Sequence, residues 1–329
     1  MIKLINWKEN RYIMRKLYAV AIMIAMLFLC SGCNKEKEEE MLALREEGIV
    51  YMEQGEYEQA VTCFETALGV SKGKINDTEM DICFYKALAE YKLGDTDAAM
   101  ETYNAVIEYN EHPKAYFLRG NLYYELDDEE NALADYRLAA DKEKEDYSLF
   151  IAIYETLVAK EKTNVGQEYL NRALEIKGDK PYDKMQKGRI NFLLGETETA
   201  VSLLTEAAEE EPESYYYLFL IYDELEDSTK SIENLNTYLE NEEELDSYKL
   251  YDMGTSLMNK EDYDNAIVCY TKALELEQIP NQQNIMKSLV IAYEKILDFT
   301  SAKEVMKEYV ALYPEDEEAY REYIFLETR

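Results

Sequence analysis

Histidine is almost missing from this chain: His112 is the only one in 329 residues. Pro113 follows it at once, which reads as a turn, and a lone imidazole leaves no histidine cluster to bind a metal or relay protons. Proline (5) and glycine (12) are also scarce, which excludes collagen-like and Pro/Gly-rich disordered chains and suits helices joined by short turns. Five cysteines are present. Cys30 and Cys33 stand near the N-terminus, and the remaining Cys63, Cys83 and Cys269 fit no zinc spacing. Free, buried thiols are the expectation for these three, with a Cys63–Cys83 bridge as the alternative. Nucleophile elbow, phosphate-cradling glycine loop and HExxH are all wanting. Basic residues are few, 35 against 69 acidic ones for a net charge of −34, so nucleic acid phosphates would be repelled.

What the chain does contain is a pattern that returns. Residues 48–68 read GIVYMEQGEYEQAVTCFETAL. Gly48, Tyr51 and Met52 share one face of a first helix. Gly55 ends it, since glycine enters the left-handed region without steric cost. Glu56 and Glu58 open a second helix, where the macrodipole favours negative charge. Ala60, Phe64 and Ala67 recur at i, i+4 and i+7, an apolar stripe that one hairpin cannot bury alone. Copies follow at 92–106 (KLGDTDAAMETYNAV), 126–139 (LDDEENALADYRLA), 194–207 (LGETETAVSLLTEA) and 260–273 (KEDYDNAIVCYTKA), with weaker ones at 161–173, 225–238 and 297–309. A small residue marks one column in all eight: Ala60, Ala99, Ala132, Gly166, Ala200, Ser231, Ala266 and Ala302. The steps between them are 39, 33, 34, 34, 31, 35 and 36, a period near 34 that marks a two-helix solenoid. Paired acids such as Asp127 and Asp128 fall in turns and at helix starts, where solvated caps explain them.

These residues resemble the tetratricopeptide repeat family. Its pattern is matched by Gly48, Tyr51, Gly55, Tyr57, Ala60, Phe64 and Ala67 in repeat one. Gly120, Tyr123, Ala132, Tyr136 and Ala139 match in repeat three, and Gly254, Tyr263, Ala266, Tyr270 and Ala273 in repeat seven. The resemblance implies an all-α, right-handed superhelical solenoid of about eight helix-turn-helix repeats over residues 41–314, with residues 315–329 as a C-terminal capping helix. Tyr154 in repeat four and Phe219 in repeat six stand where the first helix should carry a small residue, and Tyr238 and Tyr309 replace an expected alanine. Looser or re-angled packing is expected there.

Residues 14–33 read MRKLYAVAIMIAMLFLCSGC. Arg15 and Lys16 form a basic n-region, and residues 17–29 form an apolar run sized for a signal peptide core and short for a bilayer span. The end resembles a bacterial lipoprotein lipobox, with Cys30 standing where leucine is usual. Residues 1–32 are therefore expected to be a signal peptide starting at Met14, with Cys33 as the lipid attachment site and residues 33–40 as a charged, extended tether. Removal of residues 1–32 takes away Lys3, Lys8, Arg11, Arg15, Lys16 and Glu9, which leaves 30 basic and 68 acidic residues and a net charge of −38. That charge serves solubility, or steers a basic partner.

In the resembling family the first helices line the concave groove. Carrying those positions over names Phe117, Asn121 and Tyr124 in repeat three, Tyr182, Met185, Arg189 and Phe192 in repeat five, Tyr216 and Asp223 in repeat six, and Tyr248, Tyr251 and Thr255 in repeat seven. Aromatics and arginine are the residues binding hot spots use. Packing between neighbouring first helices is the competing use of the same rings. The expected function is a membrane-tethered scaffold for protein or peptide partners on the extracytoplasmic side of a bacterial membrane. The alternative is a carbohydrate or cell-wall polymer binder that stacks sugars on the same rings. No enzyme activity, cofactor, metal or nucleic acid partner is expected.

Overall fold

The computed structural model describes residues 35–71, 75–242, 245–277 and 279–328. The signal peptide and Cys33 expected from the sequence lie outside the described residues. Among those residues there are seventeen α-helices and no strands. Eight hairpins follow one another: α1 (Lys35–Glu53) with α2 (Tyr57–Val70), α3 (Asp77–Leu93) with α4 (Thr96–Asn110), α5 (Pro113–Glu125) with α6 (Glu129–Lys142), and α7 (Tyr147–Ala159) with α8 (Thr163–Leu174). Then come α9 (Pro181–Leu193) with α10 (Thr197–Ala207), α11 (Glu213–Glu224) with α12 (Ser228–Asn241), α13 (Ser247–Asn259) with α14 (Tyr263–Leu274), and α15 (Gln282–Lys295) with α16 (Phe299–Leu312). A single α17 (Glu317–Glu327) closes the order. The fold is an all-α tetratricopeptide-type solenoid. It falls into two compact units, one ending at Arg172 and the other beginning at Ala173.

Each hairpin turn is the same device. One residue adopts left-handed φ: Gly55, Gly94, Asp127, Glu161, Gly195, Glu226, Glu261 and Leu297, with φ between 57° and 93°. The next residue's N–H then reaches five residues back. Glu56 donates to the carbonyl of Tyr51 (2.9 Å), Asp128 to Tyr123 (2.8 Å), Lys162 to Leu157 (2.7 Å) and Asp262 to Leu257 (2.9 Å), and the other four turns repeat this. This is the Schellman closure, which satisfies carbonyls the helix end would otherwise strand. The same residue begins the second helix. Where it is aspartate (Asp95, Asp128, Asp227, Asp262, Asp298), its carboxylate accepts the N–H three residues on, a helix cap of about 1 kcal/mol. Only three of the eight left-handed positions carry glycine, so the glycine expected of this turn is the minority choice here.

The small-residue column is the contact point within each hairpin. Ala60, Ala99, Ala132, Ala200, Ala266 and Ala302 are fully buried, and Ser231 nearly so. Opposite them the first helix carries glycine at Gly48, Gly120 and Gly254, where a Cβ would lie 2.5–2.6 Å from the rings of Phe64, Tyr136 and Tyr270. The helices approach so closely that only hydrogen fits. Repeat four exchanges the sizes. Tyr154 stands on the first helix, and the second helix answers with Gly166, whose Cβ would meet the Tyr154 ring at 3.0 Å, and with Leu170 in place of an aromatic. In repeat six the large Phe219 is fully buried beside Leu235 and Tyr238. In repeat four bulk thus moves from the second helix to the first, while in repeat six the large Phe219 and Tyr238 are both accommodated in the buried core.

In the first unit one core joins α1, α2 and α3 through Met41, Phe64, Ala67 and Ile82, and another joins α3, α4 and α5 through Phe84, Tyr103, Val106 and Leu122. In the second unit a continuous core runs from Met185 on α9 to Leu289 on α15. A further cluster joins Met286, Met306 and Tyr309 to Ala319 and Leu326 of α17. So α17 covers the last hairpin, yet leaves Tyr320, Ile324 and Phe325 exposed.

Residues 33–40, expected as an extended tether, are helical from Lys35 onward as the start of α1. Glutamate and lysine are good helix formers, and Glu38, Glu39 and Glu40 sit where the macrodipole favours acids, which outweighs their mutual repulsion. The thiols of Cys63, Cys83 and Cys269 are free, so the Cys63–Cys83 bridge is not formed; only Cys269 is fully buried.

Candidate functional site

The predicted groove residues divide into those used for packing and those left open. In the first unit Phe117, Asn121 and Tyr124 all converge on Tyr136. Their rings lie 5.8 Å from its ring for both Phe117 and Tyr124, and the Tyr136 hydroxyl donates to Asn121 Oδ1 at 2.6 Å. Tyr124 is buried, its hydroxyl finds no hydrogen-bond partner among the described residues, and burial raises its pKa above the ordinary phenol value. These three serve the hairpin interior.

In the second unit Tyr216 is only 8% exposed. It packs edge-on against Tyr217 with centroids 5.1 Å apart, tilts against Tyr238 at 6.1 Å, and carries Lys249 Nζ over its face at 5.5 Å. Arg189 lies over the Tyr217 ring at 5.6 Å. Phe192 is half-buried against the core, and the Tyr251 ring tilts against Tyr270 at 5.9 Å. Met185 is fully buried. Tyr182 and Tyr248 are 44% and 54% exposed in the first turns of α9 and α13. Asp252, one helical turn beyond Tyr248, has its pKa raised by desolvation and by the nearby Asp246.

Between successive first helices runs a series of polar links. Arg45 on α1 holds Asp81 on α3 (2.6 Å), and Lys114 on α5 approaches the same carboxylate (3.8 Å). Lys249 on α13 holds Glu213 on α11 (2.5 Å), and Lys260 holds Asp223 (2.6 Å). Within its own hairpin, Thr255 of α13 pairs with the Tyr270 hydroxyl of α14 at 3.3 Å. Each ion pair spans about one repeat, so much of the small stock of cations is committed to joining repeats. His112 caps α5, its Nδ1 accepting the Lys114 N–H at 3.2 Å, and burial lowers its pKa.

A second feature escaped the sequence reading. Leu133, Arg137 and Asp141 of α6, with Val165, Glu168, Tyr169 and Arg172 of α8, line a cleft of about 240 Å³. Arg137 and Arg172 stand 35 residues apart, at nearly matching places in successive second helices, and that recurrence was the available signal. Among the described residues no group of three or more His, Cys, Asp or Glu is disposed to hold a metal, and no helix is long and apolar enough to cross a membrane.

Tetratricopeptide repeat family models match residues 43–74, 84–147 and 250–279. No curated protein matches the sequence. Among solved structures, yeast Tom70 superposes with a TM-score of 0.56 at 15% identity, over 83% of this chain and 60% of that one. A tetratricopeptide repeat protein of Parabacteroides merdae gives 0.46 at 14% identity, over 77% and 99%. PilW, a type IV pilus biogenesis factor, gives 0.43 at 13% identity, over 75% and 99%.

Proposed function

From a tetratricopeptide-repeat fold as the premise, we propose that this chain is a non-catalytic scaffold that holds a protein or peptide partner against its first helices, tethered through Cys33 to the outer side of a bacterial cytoplasmic membrane. The observation that carries the reading is Tyr248. The residue is 54% exposed on a first helix, four positions before Asp252, in a chain with far more acids than bases. An open aromatic beside an anionic group is how an interface anchors a lysine or arginine side chain. The surplus of negative charge speeds the encounter with a basic segment. The lipobox-like run ending at Cys33 supports the tether.

The test is photo-crosslinking in intact cells, with a benzophenone amino acid at position 248 and, as control, at position 109. Tyr109 is as exposed as Tyr248 but sits on a second helix. A discrete adduct at 248 that disappears with Asp252→Lys is the expected result. Equal labelling at 109, or none at 248, would end the first-helix reading. Cys33→Ala should release the chain from the membrane fraction and abolish incorporation of labelled palmitate; retention of both would remove the tether.

A further inference from the structure

The cleft between α6 and α8 is lined entirely by residues of second helices in the first unit. Its floor is Tyr169, only 4% exposed. Among the described residues the Tyr169 hydroxyl has no hydrogen-bond partner, and it lies in the field of Arg137, Arg172, Glu168 and Asp141, which line the cleft together with Tyr169. Burial pushes this phenol up to about 12, so the hydroxyl keeps its proton and is a donor in waiting. Arg172 is committed: it donates to the Ala140 carbonyl (2.7 Å) and Asp141 Oδ1 (2.9 Å) and lies over the Phe150 ring at 5.8 Å. Asp141 is thereby neutralised. Arg137 is exposed and makes no ion pair among the described residues. A free guanidinium fork beside a protonated phenol is a donor set for a carboxylate. Glu168, likewise unpaired, supplies an acceptor in the same cleft, and Leu133 and Val165 supply an apolar wall. The volume is below that of sites for drug-sized ligands and cofactors, so one residue-sized group fills it.

We propose that this cleft binds an amino-acid unit with a free α-carboxylate. Arg137 and the Tyr169 hydroxyl hold the carboxylate, Glu168 takes the adjacent nitrogen's hydrogen, and a medium apolar side chain lies on Leu133 and Val165. Such a unit is either the C-terminal residue of a peptide or a free amino acid. A peptide terminus brings one negative charge and a free amino acid no net charge, so the acidic molecule tolerates either.

The test is nitrogen-15 NMR of arginine side chains in the mature chain, titrated with leucine, N-acetyl-leucine and leucinamide. Leucine or N-acetyl-leucine should shift the Arg137 Nε–H signal and leucinamide should not. Stronger binding of N-acetyl-leucine identifies a chain terminus; stronger binding of leucine identifies a free amino acid. Arg137→Ala should weaken binding by at least about tenfold, the loss of a charge-assisted hydrogen bond. Tyr169→Phe should weaken it less, without lowering thermal stability, because its hydroxyl supports nothing in the fold. A shift from leucinamide equal to that from the acids, no shift from any of the three, or unchanged binding in Arg137→Ala would overturn the proposal.

Discussion

The eight left-handed turn residues allow one physical term to be isolated with both signs. Gly94 has φ of +93° and nothing within 4 Å of where a Cβ would stand. Gly94→Ala therefore adds a methyl group to open space and changes only backbone preference. An L-residue in this region costs about 1–2 kcal/mol, and the stiffer unfolded chain returns about 0.4–1 kcal/mol, so the net loss is roughly 1 kcal/mol. Glu261 is the mirror case: exposed, with φ of +61°. Glu261→Ala removes its charge and keeps the strain; Glu261→Gly removes both. The step from alanine to glycine at 261 should then stabilise by roughly 0.5–1 kcal/mol by the same two contributions. For units of this size that corresponds to a few degrees at most, at about 2–4 °C per kcal/mol. Circular dichroism at 222 nm, with urea and thermal melts, reads both. Because the chain has two compact units, Gly94→Ala should move the transition of the first unit and Glu261→Gly that of the second. If Glu261→Gly melts no higher than Glu261→Ala, or if Gly94→Ala is neutral, the turns are not held at the strained end of backbone space and the argument fails.

Three further outcomes follow from packing and charge. Gly120→Ala brings a Cβ to 2.6 Å from the Tyr136 ring and 3.2 Å from the Ala132 carbonyl, so overpacking of about 1–3 kcal/mol should exceed the propensity gain of about 1 kcal/mol; adding Tyr136→Leu should recover part of the loss in a double-mutant cycle. Ser231 is 1% exposed and its hydroxyl has no hydrogen-bond partner among the described residues, in a column otherwise filled by alanine or glycine. Ser231→Ala should therefore raise the midpoint of urea unfolding by roughly 1 kcal/mol or more. Asp316 accepts hydrogen bonds from Lys287 Nζ (2.7 Å), the Tyr309 hydroxyl (2.7 Å) and the Ala319 N–H (3.0 Å), and Lys287 foremost holds its carboxyl well below the usual range. A depressed carboxyl stabilises the fold above its unfolded pKa and loses that contribution as the pH falls through the folded value. The melting difference between the natural chain and Asp316→Asn should accordingly be full at neutral pH and shrink steadily once the solution is more acidic than an ordinary aspartate's pKa; a pH-independent gap would contradict the assignment.

The sequence showed the fold's period more clearly than its depth. The column from Ala60 to Ala302 located every hairpin, because a buried crossing accepts only a small side chain and that demand recurs at each repeat. The turns were half legible. Gly55, Gly94 and Gly195 announced themselves, whereas Asp127, Glu161, Glu226, Glu261 and Leu297 adopt the same conformation against their own preference, imposed by the Schellman closure and the two packed helices. The groove was least legible. Register places Tyr216 and Tyr248 on the same kind of face, but only the neighbours decide burial. Tyr217 and Tyr238 close over Tyr216, while Tyr248 sits in the first turn of its helix with open space before it. The cleft at Arg137 needed two helices a repeat apart, and no single stretch of sequence displays that.

The exchange of bulk between Tyr154 and Gly166 bears on how such an array can be rearranged. A crossover that joined the first helix of repeat four to the second helix of repeat three would set Tyr154 against Tyr136, two rings in room for one. The reciprocal product would set Gly120 against Gly166 and leave a hole. A breakpoint inside a hairpin is therefore excluded wherever repeat four is one of the parents, whereas repeats one, three and seven, which share the glycine-against-ring contact, can exchange single helices.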